Sequence, residues 1–485
     1  GCFLCDNACL RRKGCYPVAQ QLCLGDLIKT PWRIVKVYLK YWLDVLRTSL
    51  WFVPTVLAAT ALLLAMVLVW VDSTVNVCDS GLFGWLCASD ADAARQLLVV
   101  IGGSMLTIAG VTFSITIVAL SMASAQFGPR LLRNYMRDRG NQIVLGTFIA
   151  DFVYCLTVLR YVSSADTELF VPYLAVNFSM VLAFASLAVL IYFFHHVSSI
   201  IQADSVVAQI GSELSKAIDE WAGDTHGMAG QAKRDPTESW SRIVYGQTIG
   251  TVRALESGYI QSIDYAGLME LAERHDICMK LDYRPGHFVI RSSALLTYTP
   301  ALDVPEEIEK AVCSAFILGR QRSPLQDIEF LVDQIGQVAA RALSPYLNDP
   351  YTAIACVDWL SAGIARLAVL DFPSPHRYGT DGRLRLIADT LTFKGVVNTA
   401  FDELRQDARP IPAVTLRLLE AIAAIVPHIR NGEHLAVLQA QADMIEQGSE
   451  SLFEETDRRE VRARHREALE LLAEKRSAIE ARGQV

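Results

Sequence analysis

A chain of 485 residues with 52% hydrophobic and 20% charged residues, and a mean hydropathy of +0.28, is too apolar for a disordered polypeptide or a typical water-soluble enzyme. Its net charge of −8 argues against nucleic acid as a partner, because phosphate backbones are held by basic surfaces. The charge is also divided unevenly: residues 1–195 carry 14 Lys/Arg against 11 Asp/Glu, and residues 196–485 carry 30 against 41. A membrane anchor followed by a large aqueous portion has this pattern.

Residues 1–47 form a basic, Cys-rich segment in which Cys2, Cys5, Cys9, Cys15 and Cys23 crowd around Arg11, Arg12 and Lys13. A thiolate metal site is one reading, although the spacing matches no strong zinc or iron–sulfur pattern. Lipid attachment is a second: Gly1 opens a myristoylation-like start, but Cys5 stands where Ser or Thr is wanted. The plainest reading is a poorly ordered leader.

Residues 48–196 read as a four-span membrane domain, with spans at about 50–71, 97–125, 141–160 and 170–194. Each approaches the roughly 20 apolar residues that cross hydrocarbon, and a backbone in lipid must satisfy its own hydrogen bonds, so each is a helix. Arg33, Lys36, Lys40 and Arg47 precede the first span, and Arg130, Arg133, Arg137 and Arg139 lie between the second and third. The other two loops are acidic. The count places both termini in the cytoplasm. Cys78 and Cys87 share the first outer loop, where an oxidising compartment would permit a disulfide.

The second span is uncharged for 34 residues, from Gln96 to Pro129, and carries a stripe of small and hydroxyl residues. Gly103, Thr107, Gly110, Ser114 and Ser121 share one helical face at three- and four-residue steps. Such a face serves tight helix packing or lines a path through an oligomer. Asp151 is the one ionisable residue well inside a span, at a cost of about 3 kcal/mol if charged. It reads either as an ion or proton site or as one interhelical hydrogen bond, with Asn177, Tyr154, Arg160 and the hydroxyls of the second span as candidate partners. Arg130, Arg133 and Arg137 alternate with apolar residues in a short amphipathic helix suited to topology anchoring and to anionic lipid contact.

The membrane half also carries a resemblance. The run FGPRLLRNYMRDRGNQ (127–142), following GGSMLTIAGVTFSITIVALSMASAQ, together with LWFVP and IYFFHHV, resembles a bacterial family of predicted membrane proteins, domain of unknown function 2254. The likeness continues through SGYIQSID (257–264), RPGHFV (284–289), QDIEF (326–330) and ALSPYLNDPYTA (342–353). It covers about residues 45–440. It implies a multi-pass protein of the bacterial cytoplasmic membrane with a cytoplasmic domain, and no particular activity.

Beyond the spans, residues 197–239 read as a helical stalk that gives way to a loop at Ala222. Residues 240–304 read as a small α+β module, with Ile277, Met279, Leu281 and Tyr283 alternating before a Pro285-Gly286 turn. From Pro305 the pattern is helical to the end: residues 305–448 as a domain and 449–485 as a charged helix that serves an oligomer contact or extends into solvent. Asp327, Glu329 and Asp333 crowd one helix; a solvated acidic face is the plain reading and a divalent cation the sharp one. His287 and His275 stand isolated in the sequence, and Asp349 or Asn348 suits the cap of a helix starting at Pro350. We find no GxxxxGK[ST] loop, HExxH or GxSxG elbow, and so expect neither catalysis, cofactor nor metal. The fold class expected is a four-helix polytopic membrane protein with an α+β module and a helical C-terminal region. The function expected is an oligomeric channel or pore with a gating or sensing domain, or alternatively a non-conducting scaffold.

Overall fold

The computed structural model describes residues 51–74, 91–127, 139–162, 171–200, 203–229, 240–301 and 306–483. The chain divides into two compact units: residues 1–117 with 133–194, and residues 118–132 with 195–485. Among the described residues, four helices are long and apolar enough to cross a membrane. They are α1 (Phe52–Thr74), α2 (Ala91–Phe127), α3 (Arg139–Leu159) and α4 (Tyr173–Ile200). The second begins at Ala91, ahead of the apolar run at 97, because Asp92 in its first turn suits the positive end of a helix.

Within the first unit, Ala61, Ala65 and Val69 of α1 meet Ala94 and Leu98 of α2, Tyr154, Cys155 and Val158 of α3, and Ala175 and Val176 of α4. Small side chains at four-residue steps let these backbones approach, which is how helices gain packing energy where lipid is as apolar as leucine. Polar groups close the bundle. Tyr154 Oη donates to the Ala175 carbonyl at 2.8 Å. The Asp72 carboxylate accepts from the Leu174 and Ala175 amides at 3.2 and 3.0 Å, so α1 supplies the anion that caps the start of α4. Asp72→Ala is expected to lower stability in detergent by about 1 kcal/mol, read from the thermal unfolding midpoint, with Asp72→Asn retaining part of it.

The second unit begins with α5 (Ala203–Ala229), whose Val206, Val207, Ile210, Leu214 and Ile218 are buried at three- and four-residue steps. The helix runs seven residues past the expected loop start at Ala222, through Gly223 and Gly227, since each glycine costs a helix only about 1 kcal/mol. There follow α6 (Trp240–Val244), β1 (Gly250–Arg253), β2 (Gly258–Ile263), α7 (Tyr265–Arg274), β3 (Cys278–Leu281), β4 (Phe288–Val289), β5 (Ala294–Thr299), α8 (Glu306–Ala315) and β6 (Phe316–Gly319). Next come α9 (Ile328–Ala342), α10 (Pro350–Ala368), β7 (His376–Tyr378), β8 (Leu384–Ile387), α11 (Phe393–Asp407), α12 (Pro412–Ile425), α13 (Gly432–Gly448) and α14 (Glu455–Gly483).

The strands form two sheets, β1-β5-β3-β8-β7 and β4-β2-β6. All neighbours are antiparallel except β3 and β8. The expectation of helix throughout beyond Pro305 is therefore corrected: β6, β7 and β8 lie there. Each is three or four residues long, too short to show a period of two; β6 and β8 pair with β2 and β3 far away in sequence, and β7 adds to β8 through a short hairpin. Leu386 of β8 and Met279 of β3 sit side by side in the core with Ile260, Ile263, Leu268 and Leu296. Val461, Ala468 and Leu472 are buried where α14 lies along α12 and α13, so the charged helix is part of the bundle.

Candidate functional site

The stripe on α2 is exposed along its length. Gly103, Thr107, Gly110, Ser114 and Ser121 are all exposed, and a Cβ added at Gly103 or Gly110 would meet nothing within 4 Å. The packed face is one residue over, at Met105, Ala109 and Thr112, with Gly102 against Cys155. The Thr107 and Ser114 hydroxyls donate to the carbonyls of Gly103 and Gly110, each at 2.9 Å. A face of short side chains with internally satisfied hydroxyls is thus presented outward over five turns.

Asp151 lies on the inside, 2% exposed. It accepts from Ser186 Oγ of α4 at 3.1 Å and from the Cys155 thiol at 3.7 Å. Asn177 donates to the Tyr173 carbonyl at 2.8 Å, and the Thr112 hydroxyl of the second span to the carbonyls of Ile108 and Ala109 at 2.9 and 3.0 Å. The stripe and Asp151 are therefore not one site: the carboxylate bridges α3 to α4 inside the bundle.

The second unit holds a polar centre that the sequence does not announce. The chain leaves β3, turns through Arg284-Pro285-Gly286-His287 and enters β4. Gly286 has φ +91°, and a Cβ there would also sit 2.2 Å from Asp327 Oδ2, so only glycine fits. Arg284 Nη2 donates to Glu329 Oε2 at 2.7 Å, and its Nε lies 3.3 Å from His287 Nε2 and 3.8 Å from Asp389 Oδ2. Asp327 is buried and does two jobs. It caps α9 by accepting from the Phe330 amide at 3.1 Å, and it takes two bonds from Arg322, at 2.8 and 3.0 Å. The third nitrogen of Arg322 reaches Asp333, and its guanidinium lies 5.4 Å from the Phe330 ring. The three carboxylates read from sequence as a solvated face are therefore each held by an arginine, one of them brought from 45 residues away.

Neighbouring groups complete the centre. Gln326 acts as an extra strand residue, accepting from the Ile263 amide at 2.9 Å and donating to its carbonyl at 3.3 Å. Arg377 stacks on Tyr265 with 3.9 Å to the ring centroid, its Nε and Nη1 sealed and without hydrogen-bond partners. Burial pushes the Tyr265 hydroxyl above its ordinary range, against the pull of Arg377 and Arg284. The same desolvation, and then the Arg284 charge, hold His287 below its usual 6.5. Because the folded-state value is depressed, the stability tied to the neutral ring is full above about pH 6.5 and declines as the pH falls below it. Wild type is expected to lose more stability than His287→Asn between about pH 7 and 5, measured by chemical denaturation.

Three of the sequence runs singled out above, 257–264, 284–289 and 326–330, meet at this centre; the fourth, 342–353, does not. There Asp349 caps α10, accepting from Thr352 N at 3.2 Å and Thr352 Oγ1 at 2.6 Å. A family model described as predicted membrane protein (DUF2254) matches residues 47–424. The chain belongs to this family. Uncharacterized proteins of Mycobacterium bovis and Mycobacterium tuberculosis are 30% identical to it over 427 residues, covering 86% of this chain and 79% of theirs. No solved structure matches.

As a DUF2254 member the protein is a membrane protein whose two notable regions differ in kind, an outward neutral face on one span and a charge-paired centre in the second unit. Among the described residues, no three His, Cys, Asp or Glu side chains gather as a metal ion would require. Arg130, Arg133 and Arg137, Cys78 and Cys87, and the Cys-rich segment 1–47 lie outside the described residues. Arg284 and Arg377 were not legible as site residues: nothing in the local sequence marks an arginine whose partner is a remote carboxylate or ring.

Proposed function

We propose that the protein is a homo-oligomeric, pore-like membrane protein. In this reading the second spans of several copies surround a path lined by Gly103, Thr107, Gly110, Ser114 and Ser121, and the C-terminal unit, on the cytoplasmic side, gates or senses. The observation that supports it is the outward exposure of that whole face, with no side chain among the described residues within 4 Å of a Cβ added at Gly103 or Gly110. Small neutral residues leave room along a shared axis, and large apolar neighbours on either flank, Leu106, Val111 and Phe113, suit lipid. A second reading, a non-conducting scaffold joined through the same face, draws on the hydroxyls being satisfied by their own helix.

Purified full-length protein in liposomes separates the two. Conduction predicts potassium flux above protein-free vesicles and a fall of at least about tenfold, roughly 1.4 kcal/mol on a barrier, in Gly110→Leu with the oligomer intact. An intact oligomer without flux selects the scaffold. Asp151→Asn is expected to leave flux unchanged, because the carboxylate faces the inside of its own bundle.

A further inference from the structure

The helices of the second unit share a common end. Gly211 of α5 lies on the Trp359 ring of α10, and Asp219 further along α5 pairs with Arg366, so α5 and α10 run side by side in the same direction. Arg417 of α12 bonds Asp358, midway along α10, at 2.6 Å. Phe372, just past the end of α10, lies against Trp221 of α5, Phe393 at the start of α11 and His434 at the start of α13, so the start of α10 lies with the ends of α11 and α13. Glu420 of α12 faces Arg464 of α14, and the Pro427 carbonyl faces Lys475, so α12 and α14 also start together. Gln441 meets Asn398 and Asp402, and Ser451 Oγ donates to the Arg409 carbonyl, which brings the ends of α11 and α13 to that place. The connections 343–349, 408–411 and 449–454 are therefore gathered at the end of the bundle where α5 begins.

That end carries apolar tips with no cover. Tyr346 and Phe453 are each 98% exposed, Tyr351 82%, and Leu347 is exposed beside them. Chain length says what is near. The apolar part of the fourth span runs to Val197 and α5 starts at Ala203, six residues on, a separation of at most about 20 Å. Tyrosine and phenylalanine combine an apolar body with tolerance for the wet boundary of a bilayer, and such side chains concentrate at headgroup level. The flanking charges are mixed, with exposed Arg341 and Arg409 set among Asp407, Glu450 and Glu454, so anionic attraction is not what would hold this surface.

We propose that this end of the bundle docks on the headgroup–acyl boundary of the bilayer, inserting Tyr346, Leu347, Tyr351 and Phe453 among zwitterionic lipids. The contact is independent of whether the spans conduct. The test uses the full chain reconstituted in phosphatidylcholine vesicles containing radiolabelled lipid. A photo-reactive benzoylphenylalanine replaces Tyr346, Tyr351 or Phe453, or, as a control at the start of α13, Glu433. Lipid adducts several-fold above the Glu433 control are expected at all three positions. In the Tyr346→Asp/Phe453→Asp background, labelling from position 351 should fall to the control level. Labelling no higher than the control, adducts to a second protein copy in place of lipid, or labelling at 351 that survives the double substitution would each overturn the proposal.

Discussion

Asp327→Ala is expected to destabilise the second unit by about 3–5 kcal/mol, the range for removing one partner of a buried ion pair. The carboxylate is 5% exposed and accepts both from Arg322 and from the Phe330 amide. Its loss leaves a partly buried guanidinium with Asp333 alone and strips α9 of its cap, itself worth about 1 kcal/mol. It also removes the wall against which Gly286 turns, so the 284–287 loop should loosen together with the start of α9. Asp327→Asn separates the contributions, since asparagine caps as well as aspartate but carries no charge. We expect it to recover the cap and little of the pairing. Chemical denaturation of the full-length protein in detergent, with hydrogen exchange at residues 284–287 and 328–331, reads both effects.

The second large effect is expected at Gly211. A Cβ there would lie 2.2 Å from the Trp359 ring, so α5 and α10 stay in contact only because position 211 has no side chain. Overpacking in a well-packed core costs about 1–3 kcal/mol when side chains can shift, and more when a ring is trapped. Gly211→Leu should reach or exceed the top of that range. Leu214 and Ile218, which pack toward Gly363 on the next turns, would be prised away with it. Trp359→Ala in the same chain should recover part of the loss, because the two substitutions act on one volume and are not additive. If Gly211→Leu unfolds at the wild-type denaturant midpoint, the close approach of α5 to α10 is wrong.

What could be read from sequence followed from physics that acts locally. The four spans were legible because hydrocarbon demands about 20 apolar residues in a row, and α5 because Val207, Ile210, Leu214 and Ile218 repeat at helical steps. The cap at Asp349 before Pro350 was legible for the same reason, its signal lying within four residues. The rest depends on contacts between distant residues. β8 is a strand because β3, about 100 residues earlier, offers it an edge, and β7 then pairs with β8. Asp72 looked like one more charge in an acidic loop, and the structure makes it the cap of a helix that starts at residue 173. The acidic run at 327–333 showed three carboxylates without showing Arg284, which comes from 45 residues away to join the nearby Arg322 and turn a solvated face into a paired centre. The stripe on α2 was legible as a stripe, while which way it faced required the packing of Gly102 on the adjoining face.

The proposed topology has an even number of crossings, with the 1–47 segment and residues 203–483 on one side of the bilayer. Protease sites inserted separately before Lys36 and at Gly432, in sealed inverted vesicles, test this directly. Cleavage at both positions without detergent is the result the account predicts. Cleavage at one with protection of the other, reversed only when the vesicles are opened, would contradict it.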